Sequence, residues 1–131
     1  MFTIAKEFID EILNEARTAS NREICGVLGG KDGRVERVYK MKNTAKNPEC
    51  CYFMDSIEQL RVMKEIRNSG LEMIGIYHSH PESSAYPSAR DVELAFYPEA
   101  VYVIVSLKNK ELPEVRAFRI VEGKIEEEKI Q

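Results

Sequence analysis

Helical periodicity is confined to two long stretches of this chain, and their positions limit the fold more than any other feature. Ala5, Phe8, Ile9, Ile12, Leu13 and Ala16 recur at helical spacing, which predicts an amphipathic helix with one face on a core. Ile57, Leu60, Met63 and Ile66 repeat the pattern in a second segment, which Asp55 and Glu58 open in the manner of a capping box and Gly70 ends. Between and after these helices the pattern is that of strands. Residues 23–28 read as one strand, Gly29-Gly30-Lys31-Asp32-Gly33 as its turn, and residues 35–41 as a returning strand with alternating apolar positions. Residues 43–51 are polar and carry Pro48, which predicts a loop before a short extended piece at 52–54. Residues 73–77 read as a buried strand that delivers His78 at its end. A loop rich in Ser and Pro then runs to Pro87, and a short helix starts near Ser88. Residues 101–107, 115–121 and 124–130 give three more strands, the last two joined through Glu122-Gly123. This order predicts an α/β chain of the α+β type, with a mixed, mostly antiparallel sheet flanked by helices rather than a regular alternation of strand and helix.

The 131 residues suit one domain spanning 1–131 with a core large enough to need no disulfides. With 19 basic and 22 acidic residues the net charge is −3, and no Lys/Arg stripe follows a phosphate backbone, so nucleic acid is not an expected partner. No apolar run reaches the length of a membrane span, and the first residues lack a charged region followed by an apolar one, so neither a membrane nor export is expected. Cys25, Cys50 and Cys51 are odd in number, and the adjacent pair is awkward to join. They are expected to be thiols in a reducing cytoplasm. A homodimer is left open.

The chain has two histidines, and both lie in the run His78-Ser79-His80-Pro81-Glu82-Ser83-Ser84-Ala85-Tyr86-Pro87-Ser88-Ala89-Arg90-Asp91. In extended backbone, residues i and i+2 point to the same side, so two imidazoles at a strand end can reach one ion. Asp91, from the first turn of the following helix, adds a carboxylate. Two nitrogens and one oxygen leave the fourth tetrahedral position of zinc open, as a hydrolase requires. A histidine pair of this kind is also compatible with plain hydrogen bonding, and Ser88 with Asp91 also reads as a capping box that only starts a helix. Cys25 with a histidine offers a nucleophile and a base, but that reading leaves the paired histidines and Asp91 without a task. Adjacent Cys50 and Cys51 lack the gap that favours a tetrahedral site. Tyr77 and Tyr86 suit either a groove lining or plain packing.

The run matches the signature H-x-H-P-x(6)-S-x-x-D at every position, and with it the chain resembles the JAMM (MPN-plus) zinc metallopeptidases. Glu23-Ile24-Cys25-Gly26-Val27-Leu28-Gly29-Gly30 is similar to the upstream glutamate strand of that family. The resemblance implies an MPN/cytidine-deaminase-like architecture, one Zn2+ held by His78, His80 and Asp91, Glu23 as general acid/base, and Ser88 as an oxyanion donor. Ala85-Tyr86-Pro87-Ser88 and the residues after Asp91 are similar to prokaryotic members that release cysteine from the C-terminal glycine of a sulfur-carrier protein. The implied partner is therefore the C-terminal tail of a ubiquitin-like or sulfur-carrier protein. Removal of such modifiers from lysine is the nearest alternative, and a non-catalytic MPN scaffold is a rival. Residues 31–54 carry no signature.

Overall fold

The computed structural model describes residues 1–131. In chain order the elements are α1 (Lys6–Thr18), β1 (Cys25–Lys31), β2 (Arg34–Met41), α2 (Ser56–Asn68), β3 (Glu72–His80), α3 (Ala89–Glu93), β4 (Val101–Ser106), β5 (Glu114–Val121) and β6 (Lys124–Glu128). The strands form one six-stranded sheet in the order β2-β1-β3-β4-β5-β6. Every neighbouring pair is antiparallel except β3 and β4, which run parallel. Parallel neighbours need a long crossover. Residues 81–100 supply it, and α3 lies within it.

Alternate residues of the central strands face opposite sides, as the two-residue period of a strand requires. Val27, Ile76, Tyr102, Ile104 and Phe118 pack with Val62 and Ile66 of α2 on one face. Leu28, Tyr77, Val101, Val103 and Val105 pack with Ile12 and Ala16 of α1 on the other. β4 is buried along its whole length, which explains its unbroken apolar run. Phe2 and Thr3 make single parallel bridges to Ile130 and Arg34. Backbone bonds from Thr3 N to Gly33 O at 2.8 Å, from Val35 N to Thr3 O at 2.9 Å and from Gln131 N to Phe2 O at 2.9 Å hold that segment between the start of β2 and the residues after β6.

Two sequence expectations are corrected. Gly29 and Gly30 belong to β1, and the turn is only Asp32-Gly33, with φ of 54° and 76°. A pairing irregularity falls between the two earlier glycines, and a Cβ on Gly30 would strike the carbonyl of Arg34. That glycine serves close strand approach, not the turn. The buried face of α2 is Val62 and Ile66, while Ile57 is 80% and Leu60 64% exposed. At about 3.6 residues per turn, Ile57 emerges on the side opposite Ile66. Asp55 caps α2 by accepting from Glu58 N at 3.0 Å, but the Glu58 carboxylate turns to Lys42 N instead of closing the box.

Gly26 pairs with Tyr77 across β1 and β3, and the Tyr77 ring occupies the space a Cβ on Gly26 would need. The ring crosses β1 there and donates its hydroxyl to Glu15 Oε1 of α1 at 2.8 Å. Tyr77 is thus a packing residue. Gly26→Ala is expected to cost about 1–3 kcal/mol through overpacking, read as a lower urea midpoint with an unchanged slope.

Candidate metal centre

β3 ends in two histidines whose side chains share a face, and their Nε2 atoms lie 3.2 Å apart. The crossover then folds back and α3 begins at Ser88. The Ser88 hydroxyl accepts from Asp91 N at 3.1 Å, while Asp91 Oδ2 accepts from Ser88 N at 2.9 Å, so a complete capping box is present. The same Oδ2 stands 3.1 Å from His78 Nε2 and 3.0 Å from His80 Nε2. Cap and cluster are one construction.

All three side chains are buried, and they form a group able to hold a metal ion. The proton inventory supports a cation there. His80 Nδ1 lies 2.7 Å from the carbonyl oxygen of Ser84, which can only accept, so Nδ1 carries the proton. A neutral His80 then turns the lone pair of Nε2 toward a carboxylate oxygen, an arrangement that is repulsive unless a proton or metal cation lies between. Burial lowers the pKa of His78. Burial would also lower that of His80, but the hydrogen bonds to Asp91 and to the Ser84 carbonyl outweigh it and raise it. Burial of Asp91 is likewise outweighed by the histidine contacts, which hold its carboxyl well below the usual carboxylate range.

Glu23 is not on a strand, as expected from the sequence, but two residues ahead of β1. Its side chain is 5% exposed, and Oε1 has no hydrogen-bond partner. Burial pushes its carboxyl up to about 8, with His80 opposing the rise and the charge of Asp91 adding to it. The neighbouring peptide is locked to β3, because Ile24 N donates to Ser79 Oγ at 2.9 Å and Ser79 N donates to Ile24 O at 3.0 Å. The residue between the two histidines therefore also holds the strand entry that carries Glu23.

Three contributors escaped the sequence reading. Tyr52 stacks on His78 with ring centroids 4.5 Å apart, Ser79 binds Ile24, and the Ser84 carbonyl sets the tautomer of His80. Tyr52 was visible only as an aromatic in an extended piece, and a backbone carbonyl leaves no side-chain signature. Tyr86 packs edge-on against Phe118 at 5.4 Å, and the Arg116 guanidinium lies 5.9 Å from the Tyr86 ring centre. The three cysteines are free thiols outside the donor cluster. Burial, with the charges of Glu15, Glu23 and Glu58, pushes the Cys25 thiol up to about 12, the reverse of what a nucleophile needs. No helix is long and apolar enough to cross a membrane.

The model of prokaryotic homologs of the JAB domain matches residues 5–121. The chain is 38% identical over 132 residues to the CysO-cysteine peptidase of Mycobacterium tuberculosis, covering 99% of this chain and 90% of that protein. It is 38% identical over 110 residues to the desampylase of Haloferax volcanii, covering 79% of each. The solution structure of DSY2949 from Desulfitobacterium hafniense superposes with a TM-score of 0.90 at 41% identity, covering 100% of this chain and 92% of that one. With the two histidines and the aspartate of the signature folded into one buried cluster and the match spanning nearly the whole chain, the protein belongs to the prokaryotic JAB family, the small JAMM-type proteins.

Proposed function

We propose that the protein is a zinc hydrolase that cleaves the amide bond after the C-terminal glycine of a small ubiquitin-like sulfur-carrier protein, releasing cysteine. Residues 1–131 act as one catalytic domain, and the free thiols suit a cytoplasmic setting. The observation that carries this reading is the buried convergence of two Nε2 atoms and one carboxylate oxygen, 3.0–3.2 Å apart, beside an unpartnered carboxyl. Tetrahedral zinc with these donors has edges of about 3.3 Å, so the group fits the ion with little adjustment. His78, His80 and Asp91 are the ligands.

Bound zinc supplies Lewis acidity and brings the pKa of water to about 7. The chain's own residues do the rest. Glu23, whose ionised form the charge of a bound cation would favour, takes the proton from the attacking water as a carboxylate and returns it to the leaving amine. Ser88 keeps its own O–H free while its oxygen accepts from Asp91 N, so it can donate to the carbonyl oxygen as charge develops. The names of two relatives, a CysO-cysteine peptidase and a desampylase, support a substrate of this class.

The test is incubation of the zinc-loaded protein with carrier proteins ending in Gly-Gly-Cys, or joined through Gly-Gly to a lysine side chain, with products weighed by mass spectrometry. Release of cysteine is the expected result. Cleavage of the lysine adduct alone moves the assignment to modifier removal, and cleavage of neither leaves a scaffold. Ser88→Ala is expected to keep the metal and lower turnover about 10²-fold, the usual cost of one oxyanion donor. Its lost cap costs about 1 kcal/mol of stability besides. Unchanged turnover in metal-loaded Ser88→Ala would leave that serine a helix cap and nothing more.

A further inference from the structure

Glu23 precedes β1, and the peptide that joins it to Ile24 is held on its N–H side by Ser79 Oγ of β3 at 2.9 Å. The Glu23 N–H donates to Pro48 O at 2.6 Å, and its C=O accepts from Asn43 Nδ2 at 2.9 Å. The Asn43 side chain makes three further bonds. Nδ2 also donates to Cys51 O at 3.0 Å, and Oδ1 accepts from Ala45 N at 3.0 Å and from Phe53 N at 3.1 Å. A carboxamide has two donor hydrogens and two acceptor lone pairs, and here all are used. Aspartate has the length but no donors. The bonds close residues 43–53 into a compact loop and tie that loop to Glu23.

The loop also reaches the metal centre, because Tyr52 within it stacks on His78. One half-buried side chain therefore links the peptide of the proton carrier to a loop resting on a metal donor. The buried Glu23 Oε1 has no hydrogen-bond partner within the chain, so the chain places the carboxylate through the backbone holds from Pro48, Asn43 and Ser79. Its direction depends on where the backbone is held.

We propose that Asn43 is a positioning residue for hydrolysis, its carboxamide fixing the place of Glu23 relative to the His78–His80–Asp91 group. The proposal rests on the reading of Glu23 as the proton carrier. A misplacement of about 1 Å in a reacting group costs on the order of 10²-fold in rate, so the expected loss is about 10- to 100-fold.

A double-mutant cycle tests it on the full zinc-loaded chain, with zinc content, kcat and KM measured for Asn43→Asp, Asn43→Ala, Glu23→Gln and the two combinations. All assays run below the melting midpoint of the weakest variant. The Asn43 substitutions should lower kcat by that factor with zinc and KM near wild type, and should add no further loss in the Glu23→Gln background. An equal loss in both backgrounds overturns the proposal, because Asn43 then acts independently of Glu23. Loss of zinc from a folded Asn43 variant overturns it too, since the side chain then serves the metal cluster. If only one Asn43 variant folds, it carries the cycle. If neither does, the role is structural and the proposal fails. Wild-type turnover in Glu23→Gln alone is a different result, which removes the assigned proton carrier and with it the proposed mechanism.

Discussion

Glu23→Gln should lose at least about 10²-fold in turnover while keeping its zinc, because the amide preserves size and hydrogen bonding but cannot accept a proton. Metal analysis and cleavage rate on one preparation decide this. Loss of zinc with activity makes Glu23 a ligand, and full activity makes it a bystander. The same substitution has a second signature in the metal-free protein. Burial raises the Glu23 pKa from 4.5 to about 8. The folded state thus favours the protonated carboxyl, so the contribution of Glu23 to stability is complete below about pH 4.5 and is lost as pH rises through about 8. In metal-free Glu23→Gln that loss is absent. Relative to wild type its urea midpoint should rise progressively between those pH values, and parallel pH curves for the two proteins would reject a buried, neutral-leaning Glu23.

His80→Ala and His78→Ala should each abolish stoichiometric zinc binding. Two donors define no tetrahedral site, and several kcal/mol of charge stabilisation leaves with the ion, or at least about 10³-fold in rate. The two variants should differ in their metal-free stability. His80 is hydrogen-bonded through Nδ1 to Ser84 O, whereas His78 is buried with no partner on Nδ1. Removing His80 therefore releases the crossover loop, while removing His78 leaves a gap under Tyr52. Retention of one zinc per chain in either variant would reject the ligand assignment.

The order of elements was legible because this sheet is built from short segments with a clean two-residue period, between helices with a different one. The histidine pair stood out because the chain's only histidines fall two residues apart at a strand end, while the choice of a metal site that includes Asp91 over plain hydrogen bonding came with the family signature. Burial on α2 was not. Its sequence offers apolar residues on two sides, and only contact with the sheet decides that Val62 and Ile66 are covered while Ile57 and Leu60 are not. Gly29-Gly30 misled for a related reason, since glycine serves a tight turn and a close strand approach equally well. Residues 43–54 stayed silent because much of their work is done by carbonyl groups, such as those of Pro48, Cys51 and Phe53.

The bridges of Thr3 to Arg34 at the start of β2 and of Phe2 to Ile130 just past β6 bear on how the molecule opens. In an open sheet each rim frays by itself, and whichever lets go first exposes a row of unpaired N–H and C=O groups to other chains. Here the start of β2 and the segment after β6 are fastened to the same two residues, one to each. Release of that short segment would free the start of β2 and the residues after β6 together, and while it stays in place those two short stretches are paired. The two rims, far apart in strand order, are therefore expected to open together at these ends, and slow amide exchange at one should report on the other.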